Sequence, residues 1–146
     1  MKKIILWILV IIWMVVIFYF SSQNAIESTN NSRAIINSAK IIDKYQTTEN
    51  KKEEMIEKAD LYFREFAHAC EFLILSIFIC LLLKNYNLKS KKILIISILI
   101  CLIYSCIDEF HQLFVHGRSF ELKDILLDNI GSVIGNTIFY IFNRRK

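Results

Sequence analysis

The chain of 146 residues has the length of one domain, and its 55% hydrophobic content, mean hydropathy of +0.42 and lack of proline are typical of a membrane protein. Its net charge of +4 comes mostly from lysines and arginines at the ends of apolar runs, so these residues indicate membrane topology rather than a phosphate-binding surface. We therefore predict a single all-α membrane domain over residues 1–146 with no nucleic-acid partner.

Four apolar runs predict four transmembrane helices, at about residues 4–20, 66–83, 93–112 and 124–142. A spanning helix needs about 20 residues to cross a hydrocarbon core of about 30 Å. The third run is too short if it ends at Ile107, and it spans comfortably only if the helix continues through Asp108 to Leu113. The four cysteines lie inside these runs without C-x-x-C spacing, which predicts buried packing residues.

The basic residues predict that both termini are cytoplasmic. Lys2 and Lys3 precede the first helix, four lysines without an acid follow the second between residues 84 and 92, and three basic residues close the chain. Because cytoplasmic loops carry the excess of lysine and arginine, residues 21–65 and the loop after the third helix are expected outside. A cleaved signal peptide is a weaker alternative for the first helix, whose apolar run exceeds the usual length of about 7–15 residues.

The segment 21–65 is predicted to be helical where it enters the second span. Asn50 and Glu53 have the spacing of a helix cap, and apolar residues then recur at helical intervals up to Phe66. We expect a helix on the extracytoplasmic surface that continues into the membrane.

Polar side chains share one face on three of the predicted helices, all near the extracytoplasmic end. Arg64, His68 and Glu71 follow one another at i, i+4 and i+7, which places them on one side within two turns. The third and fourth helices repeat this pattern, and ionisable groups in such positions usually mark function. The predicted ligand-binding residues are Arg64, His68, Glu71, Asp108, His111, Gln112, Arg118, Asp124 and Asp128.

Residues next to this set have less certain roles. Gly131 and Gly135 continue the stripe on the fourth helix and would let another helix backbone approach closely. Glu109 lies about 100° around the helix from Asp108, so it faces either the set or water and headgroups. Ser22 and Gln23 either cap the first helix or line the site.

Three chemical roles are open for the polar set. It is either a buried ion-pair network that holds the helices together or a site, and the former stabilises weakly because desolvation opposes the attraction. Within an enzyme, the catalytic candidates are His68, Glu71, Asp108 and His111, with histidine as base and carboxylate as its orienting partner. Ion translocation requires polar groups across the membrane, but the other halves of the helices are apolar. We expect no cofactor and no metal, because arginines would compete with a divalent ion for the carboxylates.

Several motifs resemble those of the VanZ-like membrane protein family. Residues 20–23 read F-S-S-Q, residues 64–72 are similar to R-x-x-A-H-x-x-E-Y, and residues 108–115 with the following Gly117-Arg118 resemble D-E-x-H-Q-x-F-V-P-G-R. Residues 124–131 match D-x-x-x-D/N-x-x-G. The resemblance covers nearly the whole chain, with two departures in these motifs: Phe72 in place of tyrosine and His116 in place of proline.

This resemblance implies a small multi-pass protein of the bacterial cell membrane, from a family associated with resistance to teicoplanin, a lipid-tailed glycopeptide. We expect a cell-envelope protein whose outer polar cavity binds an anionic lipid or a lipid-linked envelope precursor. Arg64 and Arg118 would clamp phosphate or carboxylate, while acidic neighbours receive hydroxyls or amines. The alternative is an intramembrane hydrolase or transferase acting on a lipid-linked substrate. Neither the ligand nor the oligomeric state follows from the sequence.

Cysteine labelling tests the predicted orientation. In a chain without its native cysteines, a membrane-impermeant thiol reagent added outside intact cells should label Asn30→Cys and Ser119→Cys but not Ser90→Cys. Labelling of the Ser90→Cys variant alone would show that the topology is the reverse and that the polar set lies on the cytoplasmic side.

Overall fold

The computed structural model describes residues 2–23, 49–116 and 118–144, and all regular structure in these ranges is helical. Each of the four helices contains a segment that is long and apolar enough to cross a membrane, which confirms the predicted all-α membrane bundle. The helices are α1 (Lys2–Ser21), α2 (Glu49–Lys84), α3 (Ser90–Gln112) and α4 (Leu122–Arg144).

The helix boundaries differ from the predicted ones mainly at α2. This helix has 36 residues and joins the expected surface helix to the second span without interruption. It begins at Glu49, so the prediction that Asn50 caps the helix is wrong by at least one position. Residues 24–48 of the predicted extracytoplasmic segment lie outside the described residues. The third helix continues beyond Ile107 to Gln112, which carries its acidic residues to the end of the bundle.

The core lies around the middle of α2. Phe72, Leu75 and Ile79 are buried there against Ile17 of α1 and Cys101 of α3. Most apolar side chains of α1 are exposed, as expected of a helix whose outer side contacts lipid. The apolar side chains on the outer side of α1 are stable in lipid and do not need to be buried within the protein.

Two hydrogen bonds from aromatic side chains attach α1 to the bundle. The Tyr104 hydroxyl of α3 donates to the carbonyl of Met14 at 2.6 Å, and the Trp13 indole donates to the carbonyl of Glu71 at 2.9 Å. Both acceptors are helix carbonyls, so each bond fixes the position of one helix relative to another. Trp13 therefore acts in packing α1 against α2.

The cysteines are only partly buried. Cys80 and Cys101 are buried, Cys70 is half-buried and Cys106 is exposed. The prediction of buried packing is thus wrong for Cys106, because it lies on the side of α3 that also exposes Ile103 and Ile107. A small apolar residue is equally stable against lipid, so an apolar run does not distinguish the two environments.

Helices α2 and α4 approach each other more closely than the other pairs. A Cβ atom on Gly131 would overlap the carbonyl oxygen of Ala69, and one on Gly135 would overlap the carbonyl oxygen of Leu73 and the hydroxyl of Ser76. Helix α4 therefore lies directly on the backbone of α2, as the two glycines in the sequence predict.

Alanine at Gly131 or Gly135 should destabilise the bundle. Although alanine favours an isolated helix by about 1 kcal/mol over glycine, the added methyl here meets backbone, and overpacking costs about 1–3 kcal/mol. Thermal unfolding in mild detergent measures the effect. Val133→Ala, at an exposed position of the same helix, is the control. Unchanged or raised stability of Gly131→Ala would contradict the close approach.

Candidate functional site

A cavity of about 190 Å³ opens between α2, α4 and the loop that joins α3 to α4. We call it the polar pocket. Six of the nine predicted site residues line it, namely Arg64, His68, Gln112, Arg118, Asp124 and Asp128. The remaining wall includes Glu65, Ser119 and Glu121, which the helical face pattern does not select. The pocket is thus formed mainly by α2, α4 and the loop, with Gln112 contributed by the end of α3.

The two arginines of the polar pocket form no ion pair with any described residue. Arg64 and Arg118 both line the pocket, and Nε of Arg118 is buried without a hydrogen-bond partner. Burial and the nearby charge of Arg64 lower the pKa of Arg118. The alternative of a network that pairs these arginines with Glu71, Asp108, Asp124 or Asp128 is therefore wrong for the described residues.

Buried carboxylates lie at the inner end of the polar pocket and behind it. Asp128 is 2% exposed, and its Oδ2 accepts a hydrogen bond of 2.6 Å from the Ser105 hydroxyl while Oδ1 has no partner. Asp108 is equally buried with Oδ1 unpartnered. Oε2 of Glu71 lies 3.5 Å from Nδ1 of His68 and forms no hydrogen bond. Asp108 and Glu71 do not line the pocket, although both were predicted site residues.

His111 points away from the polar pocket, towards α1. Its ring stacks on Phe18 with 4.3 Å between centroids, and its Nε2 lies 3.2 Å from the Ser22 hydroxyl oxygen. Since the Ser22 hydroxyl donates to the carbonyl of Phe18 at 2.6 Å, Nε2 of His111 must be the donor in the other bond. The structure gives His111 a role in joining α3 to the end of α1.

Of the two predicted orientations of Glu109, the one that faces water and headgroups is wrong. It is 1% exposed, and its Oε2 accepts a hydrogen bond of 2.9 Å from the backbone N–H of Glu121. This bond closes the loop that carries Arg118, because it joins the end of α3 to the residue before α4. The carboxylate of Glu109 thereby lies at the N-terminal end of α4, where the helix dipole favours a negative charge.

The structure also shows the rim of the polar pocket and the two positions that depart from the family motifs. Lys123 of α4 forms an ion pair with Glu65 of α2 beside the polar pocket. Phe72 is fully buried, with its ring centroid 6.0 Å from that of Tyr104, so an apolar contact replaces the missing hydroxyl there. His116 is exposed, and its neighbour Gly117 lies outside the described residues.

A metal centre is not apparent from the side-chain arrangement. In the part of the chain that the structure describes, no three His, Cys, Asp or Glu side chains are placed to hold a metal ion together. Two histidine–carboxylate pairs have i, i+3 spacing, His68 with Glu71 and Asp108 with His111, but they diverge, because His68 faces the polar pocket while His111 faces α1. The expectation of a protein without metal or cofactor stays a prediction.

The four apolar helices and the polar residues gathered at one end define a multi-pass membrane protein. The family profile described as VanZ/LLP1 matches residues 6–143, so the chain belongs to the VanZ/LLP1 family. This confirms the resemblance seen in the motifs, and it fits a membrane protein linked to antibiotic resistance. No curated protein and no solved structure matches the chain.

Proposed function

We propose that the polar pocket binds the anionic group of a membrane lipid or of a lipid-linked envelope precursor. The protein would lie in the bacterial cell membrane with both termini in the cytoplasm and the pocket at the outer surface. The observation that carries the proposal is the pair of arginines that line one cavity without an ion pair to a described residue.

The physical argument rests on the charge of the two arginines. A guanidinium taken out of water requires a partner to offset its desolvation. Arg64 and Arg118 also repel each other, and Asp108, Glu109 and Asp124 offset part of this repulsion at Arg118 without forming an ion pair with it. Arginine donates several hydrogen bonds in a fixed planar geometry that matches phosphate and carboxylate. An anionic occupant would therefore supply the direct ion pair that the described residues do not form with either arginine.

The surroundings of the polar pocket favour a lipid over a water-soluble anion. Leu61 lines the pocket and is itself exposed, and the exposed residues Leu122 and Leu126 follow on α4. In a membrane these side chains contact acyl chains, so an occupant can place its head group in the pocket while its tails remain in lipid. Such binding would change the outer surface that a lipid-tailed glycopeptide meets.

Binding of an anionic lipid should depend on the two arginines. The purified protein in detergent is offered phosphatidylglycerol or phosphatidylcholine, and bound lipid is counted by native mass spectrometry. Wild type should prefer phosphatidylglycerol, and Arg64→Gln or Arg118→Gln should weaken its binding about tenfold or more, as expected for lost charge-assisted hydrogen bonds. Lys92→Gln, which removes an exposed charge at the opposite end of α3, is the control. Equal binding by all four proteins would contradict the proposal.

The antibiotic part of the proposal has a separate test. Expression in a susceptible Gram-positive host should raise tolerance to teicoplanin more than to vancomycin, because only the former carries a lipid tail. Arg64→Gln should abolish this difference at equal abundance in the membrane. If the variant protects as well as wild type, the pocket does not act on the antibiotic response.

One observation favours an enzyme as the second candidate. His68 lines the polar pocket with a Glu71 oxygen 3.5 Å from its Nδ1, so a base and a carboxylate that could orient it lie next to each other. This pair contains no nucleophilic serine or cysteine, so His68 would have to activate water or a substrate hydroxyl to attack the lipid-linked substrate. Release of the head group from bound lipid by wild type, lost in His68→Gln with lipid binding intact, would favour this candidate.

A further inference from the structure

The polar pocket brings two arginines and a buried carboxylate into one cavity. Arg64 and Asp124 lie one helical turn nearer the mouth than His68 and Asp128, a difference in depth of about 6 Å. Arg118 reaches the pocket from the loop. The two arginines share the cavity with Glu65, Glu121 and Asp124, whereas Asp128 is the acid of the lining that is fully buried, among the residues that the structure describes.

Asp128 is an unsatisfied group directed into the polar pocket. It is 2% exposed, Oδ1 has no hydrogen-bond partner, and no lysine or arginine among the described residues forms an ion pair with it. Behind it, Oδ1 of Asp108 and Oε2 of Glu71 also lack hydrogen bonds. A buried carboxylate oxygen without a donor is costly, so the inner end of the pocket favours a positively charged hydrogen-bond donor.

We infer that the occupant of the polar pocket is zwitterionic, with its phosphate on Arg64 and Arg118 and a primary ammonium group on Asp128. This inference rests on the proposed function, because it adds a second charged group to the same ligand. Phosphoethanolamine has this chemistry, since an ethyl bridge separates its phosphate from its ammonium. It occurs as a lipid head group and as a free metabolite, and both share the pair of charges.

The lining of the polar pocket distinguishes a primary ammonium from other cations. A primary ammonium donates three hydrogen bonds, which suits Asp128 and the nearby Asp124. A trimethylammonium donates none and is usually held by aromatic rings, yet no Phe, Tyr or Trp lines the pocket among the described residues. A divalent metal requires a set of converging ligands that the described residues do not provide.

The test compares lipids that differ only at the amine. The purified full-length protein in detergent is titrated with phosphatidylethanolamine, its N-acetylated form and phosphatidylcholine, and binding is measured by native mass spectrometry. N-acetylation keeps the phosphate and removes the positive charge. Wild type should bind phosphatidylethanolamine about tenfold more tightly than the other two lipids, as expected for one charge-assisted contact.

A conservative variant assigns this preference to Asp128. In Asp128→Asn the carboxamide oxygen still accepts the hydrogen bond from Ser105, but the negative charge is gone. The variant should bind phosphatidylethanolamine and its N-acetylated form equally, while Glu57→Gln, at an exposed acid of α2, keeps the wild-type preference. If Asp128→Asn does not fold, the comparison of the three lipids on wild type still decides the inference.

The outcomes separate this inference from the proposed function. Equal binding of phosphatidylethanolamine and its N-acetylated form to wild type overturns the zwitterionic occupant. If Arg118→Gln then weakens both lipids, the anion site stands alone. Lack of binding to every lipid overturns the proposed function and this inference together. Among supporting results, displacement by water-soluble phosphoethanolamine indicates that the head group suffices, and lack of displacement indicates a lipid.

Discussion

The contact of α4 with the backbone of α2 is the constraint on which the site depends. Gly131 and Gly135 leave no room for a side chain against the carbonyls of Ala69 and Leu73. One and two turns above Gly131, the same helix brings Asp128 and Asp124 to the cavity that Arg64 and His68 of α2 also line. If the two helices lay farther apart, the charges of α4 would not share a cavity with those of α2.

The remaining elements position the loop that completes the polar pocket. Glu109 holds the N–H of Glu121 and so fixes the end of the loop from which Arg118 projects. His111 and Gln112 contact the end of α1 through Ser22 and Ser21, which joins the exposed helix to the polar end of the bundle. Glu109, His111 and Gln112 therefore hold elements together, whereas the proposed function assigns the binding of the ligand to the arginines.

The sequence allowed the helices and much of the pocket to be predicted, because apolar length and helical period are local properties. Arg64 and His68 share a face by spacing alone, and the structure places both in the pocket. Spacing does not say which neighbour a face contacts, so His111 was assigned to the site although it stacks on Phe18. The role of Glu109 in holding the loop was not predicted for the same reason, since its partner is a backbone N–H that no sequence pattern marks.

The apolar surface gave a second limit to prediction. In water an apolar residue is driven inside, but in lipid it is stable on either side of a helix. Cys101 is buried and Cys106 is exposed, although both lie in the same apolar run of α3. The local sequence therefore does not distinguish the two positions. Only polar groups report which side of a helix faces the protein, and on α2 and α4 they did so.

The most direct measurement is an experimental structure of the protein in nanodiscs prepared from the membranes of its host without detergent exchange. The account predicts a head group between Arg64 and Arg118, with its anionic oxygens within hydrogen-bond distance of both guanidinium groups and its tails beside Leu61. A structure in which both arginines form ion pairs with the protein's own carboxylates, and in which the pocket holds only water, would contradict it.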